Sequence, residues 1–326
     1  SDLAIGLIVP ILFPLLPWIW MAALLNLILG LSSTMNWVGA QTLVGQVVRD
    51  DPSLTWQVSF CNRLGHLVCP LLAGVMWDLF GPKGGFGVTF VWAVLFMAAV
   101  SILPRGKDSS KSLVQKAPDP FRARDFLPRL EDYTKAFAML SIPLMGVAIA
   151  GSVLNIAGGA IQTSFFIAYM KEMGLTGTLI GVVFACLNFS GLVGTASVSP
   201  LARRVGDVRL LNLTVLAALI AITITPLLGV FLSLLLVTVM RGLSVGISQP
   251  LMIMIPSKLV PSGSQGTVVG LRISLNRLMQ TILPPVMGGV VSLVGLEHSF
   301  YWVGGTMVAI GCGLWIIFRP PSFLHG

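Results

Sequence analysis

Charge is what this sequence has least of. Asp, Glu, Lys and Arg make up 10% of its 326 residues, where a soluble domain carries about 25%. That scarcity excludes a soluble domain of useful size. The acidic residues are Asp2, Asp50, Asp51, Asp78, Asp108, Asp119, Asp125, Glu131, Asp132, Glu172, Asp207 and Glu297. All lie in loops, at helix ends or at the chain start, and none falls in the middle of an apolar run. Cys61, Cys69, Cys186 and Cys312 each sit inside an apolar segment without CxxC spacing, so neither a disulfide frame nor a metal site is implied. There is no HExxH, no nucleotide-binding loop and no His/Cys cluster, so no hydrolytic or redox chemistry and no cofactor is expected, and the chain does not read as an enzyme. It begins with Ser and has no basic n-region or cleavage site, so its start does not read as a signal peptide.

What is present is apolar length. Hydrophobic residues make up 55% of the chain, and runs near 20 residues recur from end to end, the mark of an all-helical polytopic membrane protein in a lipid bilayer. Ten membrane segments are expected, at roughly 3–17, 18–48, 55–77, 84–103, 137–170, 176–199, 209–228, 231–256, 266–294 and 299–318. The one long polar stretch, "RGKDSSKSLVQKAPDPFRARDFLPRLEDYTK", separates an N-terminal bundle, 1–104, from a C-terminal bundle, 137–326. The linker, 105–136, reads as a solvated hinge with a short amphipathic helix near 121–135. "GPKGGFG" at 81–87 reads as a turn between two helices, not as a phosphate cradle.

The net charge of +8 raises nucleic acid as a partner, but the placement of the cations answers otherwise. If every segment spans, Arg49, the basic residues of the linker, Arg203, Arg204, Arg209, Lys258 and Arg319 share one side, against Lys83 and Lys171 on the other. The basic side is then cytoplasmic, and the expected location is a bacterial inner membrane or a plasma membrane.

One stretch occurs twice. "NRLGHLVCPLLAGVMWDLFGPKGGF" at 62–86 returns at an offset of 214 as "NRLMQTILPPVMGGVVSLVGLEHSF" at 276–300. Asn62, Arg63, Leu64, Pro70, Gly74, Leu79, Gly81 and Phe86 match Asn276, Arg277, Leu278, Pro284, Gly288, Leu293, Gly295 and Phe300. Upstream, "PLL" and "GLS" recur at an offset of 212. The chain therefore reads as two parallel repeats, a duplication on which many transporters are built. By the same arithmetic, two helices and about 75 residues matching the start of the second half are expected before residue 1.

These features, with the motifs below, resemble the major facilitator superfamily, from its third helix to its twelfth. The Gly-Pro-x-x-Gly-Gly pattern of the family's antiporters has a counterpart in Cys69-Pro70-Leu71-Leu72-Ala73-Gly74, with two glycines replaced, and in Pro284-Pro285-Val286-Met287-Gly288-Gly289. "SPLARRVGDVRLL" is similar to the family's loop pattern at Arg204 and Gly206, with Ser199 and Arg203 replacing its Gly and Asp. "RGLSVGISQP", with Arg241, resembles the Arg-and-Gly pattern of the fourth helix, carried here by the tenth. The fourth helix, around "LLNLILGLSS", has no basic residue. The resemblance implies two six-helix bundles rocking about a midplane site. Gating or conformational roles are expected for Pro70, Gly74, Pro284, Pro285, Gly288, Gly289, Arg204 and Gly206, with plain packing geometry as the other reading.

Ionisable residues inside a bilayer are costly and usually face the bundle interior. Here they are all basic: Arg63, His66, Arg241, Arg272 and Arg277. Arg272 lies close enough to its helix start to reach the headgroups, whereas Arg241 lies deepest. Arg63, His66, Arg241, Arg277, Asn276, Gln280, Asn155 and Gln162 are the candidate solute-binding residues, with backbone or lipid contacts and interhelical hydrogen bonds as the competing explanations. With no mid-span carboxylate to neutralise them, the arginines make the cavity electropositive. The expected function is a secondary or facilitative transporter moving a small anionic solute, with a proton as a candidate coupling ion. A drug–proton antiporter, its carboxylate upstream of residue 1, and a scaffold that assists assembly without moving solute are the alternatives.

Overall fold

The computed structural model describes residues 8–9, 12, 18–30, 32, 54–102, 137, 142–259 and 265–317. The described elements are helical throughout: α1 (Ile19–Gly30), α2 (Leu54–Ile102), α3 (Pro143–Glu172), α4 (Gly177–Ala196), α5 (Val198–Val205), α6 (Asp207–Thr223), α7 (Phe231–Leu259), α8 (Gln265–Val294) and α9 (Leu296–Ile317). Among the described residues, six helices are long and apolar enough to cross a membrane, or seven if the bent pair α5 and α6 counts as one span. Most of segments 3–17 and 18–48, and the linker with its expected amphipathic helix, lie outside the described residues.

Two compact units divide the chain: Ser1–Phe126 with Thr176–Val182, and Leu127–Leu175 with Val183–Gly326.

In the first unit, the 49 residues of α2 would run roughly 74 Å as one straight helix, more than twice a bilayer's hydrocarbon core. The run is broken at Gly81, whose φ of 64° and ψ of −151° are non-helical, a conformation open to glycine at little cost. A Cβ on Gly84 would strike the Met76 backbone oxygen, and one on Gly85 would come within 2.7 Å of the Trp77 ring. Residues eight apart on one continuous helix are about 12 Å apart, so the chain doubles back at "GPKGGFG". The break falls between the apolar segments read at 55–77 and 84–103.

The first part of α2 also grips the start of α4. Gly74 lies against the backbone of Gly177, and Gly181 against the backbone of Pro70 and Leu71. Asp78 then caps α4: Gly177 N donates to Oδ1 at 2.7 Å, while Thr178 N and Thr178 Oγ1 each donate to Oδ2 at 2.6 Å. A carboxylate suits a helix N-terminus because the first amides lack intrahelical acceptors and the helix dipole favours negative charge there. Asp78→Ala removes all three bonds. The expected result is a lower melting temperature and faster amide exchange at 177–182 than elsewhere in α4; unchanged exchange there would show that the clasp holds nothing.

The second unit is built around α3. Its apolar residues cover every side of the helix, and such a helix is stable only when surrounded. It packs against α6, α7, α8 and α9, burying Met145, Ile149, Ile161 and Met170 almost completely. Pro143 opens it, at the first-turn position where a missing N–H is no loss. Glycine is required where the chain reverses: Gly174, Gly206 and Gly295 have φ of 77°, 87° and 84°. At Gly206 the amphipathic α5 turns through 113° into α6. The apolar pattern had suggested a span over 209–228, but α6 ends at Thr223 and a single 3-10 turn, Thr225–Leu227, follows. Pro226 is the reason, because it has no N–H to give the Ile222 carbonyl and so cannot continue the α-helical ladder.

Glycine also sets how closely α4 and α7 approach. A Cβ on Gly246 would strike the Gly191 backbone, one on Gly194 the Leu243 backbone, and one on Gly242 the Leu187 backbone and Ser190 Oγ. Thr195 Oγ1 lies 3.0 Å from Gly246 O and 2.9 Å from Gly191 O, tying the two helices at the contact. Small residues spaced four apart allow such backbone contact between membrane helices.

Candidate functional site

Arg241 stands ten residues into α7, about 15 Å along its axis. Its side chain does not escape to a helix end. It is 5% exposed and lines a small cavity inside the second unit. Gln162 and Phe166 from α3, Ile222 from α6, Thr225 from the following turn, Thr238 from α7 and Phe300 from α9 line it. The cavity has room for about one water-sized body. Gly158 lets α3 and α6 approach beside the guanidinium: a Cβ there would come within 2.8 Å of Ile222 Cδ1.

The electrostatics are one-sided. Among the described residues, no acidic side chain lines the cavity. Arg241 Nε and Nη1 are buried and have no hydrogen-bond partner among the described residues. The two hydroxyl protons nearby are already engaged, Thr225 Oγ1 on Ala221 O at 3.0 Å and Thr238 Oγ1 on Leu234 O at 2.8 Å. A buried guanidinium without a partner is strongly unfavourable.

The remaining candidates are placed differently. Asn155 Nδ2 donates to Ser248 Oγ at 2.8 Å in a buried bond between α3 and α7. Asn276 and Ser152 exchange bonds of 3.1 and 3.3 Å between α8 and α3. Both asparagines thus hold α3 in the bundle, the interhelical role that competes with solute binding. Arg277 Nη1 donates to Gln280 Oε1 at 3.2 Å on the exposed face of α8. Arg272 is half-buried and donates to Met252 O at 3.3 Å, a backbone carbonyl partner. His66 is exposed, and the Arg63 side chain lies outside the described residues. Of the candidate solute ligands, Arg241 and Gln162 are brought to one cavity.

Among the conformational candidates, Pro70 and Gly74 take part in the contact with α4, and Arg204 is exposed on α5 beside the turn at Gly206. Pro284 and Pro285 lie within the run of α8. A Cβ on Gly288 or Gly289 would have nothing within 4 Å among the described residues. Among the described residues, Gly74 makes a close backbone contact and this pair makes none. Sequence reasoning missed Ser152, Ser248 and Asp78. Two serines in apolar helices carry no signal of their own, and Asp78 stands among the acids that lie in loops or at helix ends. No group of His, Cys, Asp and Glu able to hold a metal occurs among the described residues.

The family profile of the Major Facilitator Superfamily matches residues 3–284. No curated protein sequence matches the chain.

Proposed function

The chain belongs to the major facilitator superfamily, and from that premise we propose that it moves a small anionic solute across the membrane by alternating access, with Arg241 as the group that meets the solute's negative charge. Membership makes it a multi-pass membrane protein of a transporter family, in which a solute rather than a reaction is the object. The observation that carries the anionic reading is the Arg241 guanidinium, 5% exposed and lacking partners at Nε and Nη1 among the described residues. A helix that only packs has no use for it: at the centre of a span the mildest insertion scale sets the cost of arginine at about 2.5 kcal/mol. Gln162 is the neutral donor that would share the ligand. Arg277 and Gln280, and Arg63 with its repeat relation to Arg277, would act as outer contacts when the cavity opens, and a proton remains the candidate coupling ion.

The test is counterflow in proteoliposomes holding the purified chain. A trapped anion should drive saturable entry of the labelled anion, above empty liposomes. Exchange of lipophilic cations alone would sink the reading and favour the drug antiporter; no exchange of any solute would favour the scaffold.

Orientation has its own test. In a cysteine-free background, Ser110→Cys and Glu297→Cys should label with an impermeant maleimide from opposite faces of the membrane, position 110 from the cytoplasm. Labelling from the same face would overturn the sidedness read from the basic residues.

A further inference from the structure

Resting on Arg241 as an anion ligand, we propose that its cavity holds a single halide-sized inorganic anion, chloride in a cell, as the guanidinium's resident counter-ion. Three observations select that class. The first is room: the space between these side chains is small, which favours a monoatomic anion over an organic carboxylate in this conformation. The second is charge. A water molecule filling the space would leave the positive charge unmatched, and the described residues offer no carboxylate there. Asp207, the nearest acidic residue in sequence, is 34 positions away and pairs with Lys258 at 2.9 Å. The third is the donor supply. Arg241 Nε and Nη1 have no partner among the described residues, Gln162 lines the same wall, and most of the rest is apolar: Ile161, Phe166, Ile222, Val237 and Phe300. Sulfate or phosphate brings several oxygens that each need a donor, and such a wall cannot supply them. A monoatomic anion is satisfied by the few donors present. Bound there, it would join α3 and α7 through one charge, because Gln162 and Arg241 reach it from those two helices.

The experiment measures the melting temperature of the purified full chain in detergent, in chloride, bromide, sulfate and gluconate at equal ionic strength and pH. Chloride and bromide should raise it by several degrees over gluconate, saturably, and sulfate should not. Arg241→Met should remove the halide dependence. Should that variant fail to fold, Gln162→Glu decides: it supplies a carboxylate to the cavity, so the protein should stay folded and become indifferent to halide. Equal melting temperatures in chloride and gluconate for the unaltered chain, or a halide shift that survives in Gln162→Glu, would overturn the proposal. Stabilisation by organic anions or sulfate but not by halides would overturn it while leaving the transport reading intact. Halide stabilisation without any anion counterflow would leave the resident ion standing and remove the transport reading.

Discussion

Arg241→Gln should reduce anion uptake by about 30-fold or more while the protein still folds and reaches the membrane. The expected size follows from the chemistry lost. Removing one partner of a desolvated, hydrogen-bonded charge pair costs on the order of 2–5 kcal/mol, and about 1.4 kcal/mol is tenfold in affinity. Folding should survive because glutamine relieves an unpaired buried charge instead of creating one, and keeps donors for a cavity already lined by Gln162. Arg241→Lys separates charge from shape. The ammonium keeps the sign but loses the planar fork, so uptake should fall by roughly tenfold with a smaller effect on protein yield. A structural role alone would give the opposite pattern: Lys would behave like the parent, and any defect in Gln would track lost protein. Membrane abundance and melting temperature measured beside uptake distinguish the two.

Gly246→Leu should abolish recovery of folded, monodisperse protein. A side chain at this position meets the backbone of Gly191, whose carbonyl carbon and Cα would both lie 2.8 Å from the new Cβ. Backbone cannot step aside as a flexible side-chain tip can, so the helices must separate along Gly191, Gly194, Gly242 and Gly246, and the bond from Thr195 Oγ1 to Gly246 O breaks. Overpacking in well-packed cores typically costs about 1–3 kcal/mol, and this contact lies at or beyond the upper end. The contrast is Gly289→Ala. Nothing lies within 4 Å of its Cβ position among the described residues, and alanine is the better helix former by about 1 kcal/mol, so stability should hold or rise. If Gly289 also bends α8 during transport, uptake should fall in that variant with the melting temperature unchanged. Size-exclusion profiles and thermal scans of the two variants decide the comparison. A well-folded Gly246→Leu would show that α4 and α7 do not pack as described.

How far the sequence reaches depends on the kind of signal. Apolar length and breakers are local, so helix limits were legible where glycine punctuates the chain: α8 runs Gln265–Val294 against an expected 266–294, and Gly295 stops it. The reversal at Gly81 was legible for the same reason. The end of α6 was not, because hydropathy continues through Pro226 while backbone geometry does not. For the site, Arg241 was conspicuous as a base in an apolar run. Its depth and lack of an acidic neighbour followed from spacing alone. Its convergence with Gln162 could not be read, since the two are far apart in sequence and meet only through the packing of α3 on α7. Hydroxyl partners such as Ser248 have no signature in one sequence. The Asp78 clasp was hidden for another reason: its partners lie 99 and 100 residues away, and nothing in the chemistry of an isolated aspartate names them.

Whether Arg241 meets an anion decides between a solute ligand and a packing residue. Isothermal titration of the purified chain with a panel of small anions, run in parallel on Arg241→Gln, measures this without requiring transport. The account predicts saturable binding of at least one anion to the parent and none to Arg241→Gln at equal folded fraction. Binding of equal affinity to both would contradict it and leave Arg241 as a packing residue.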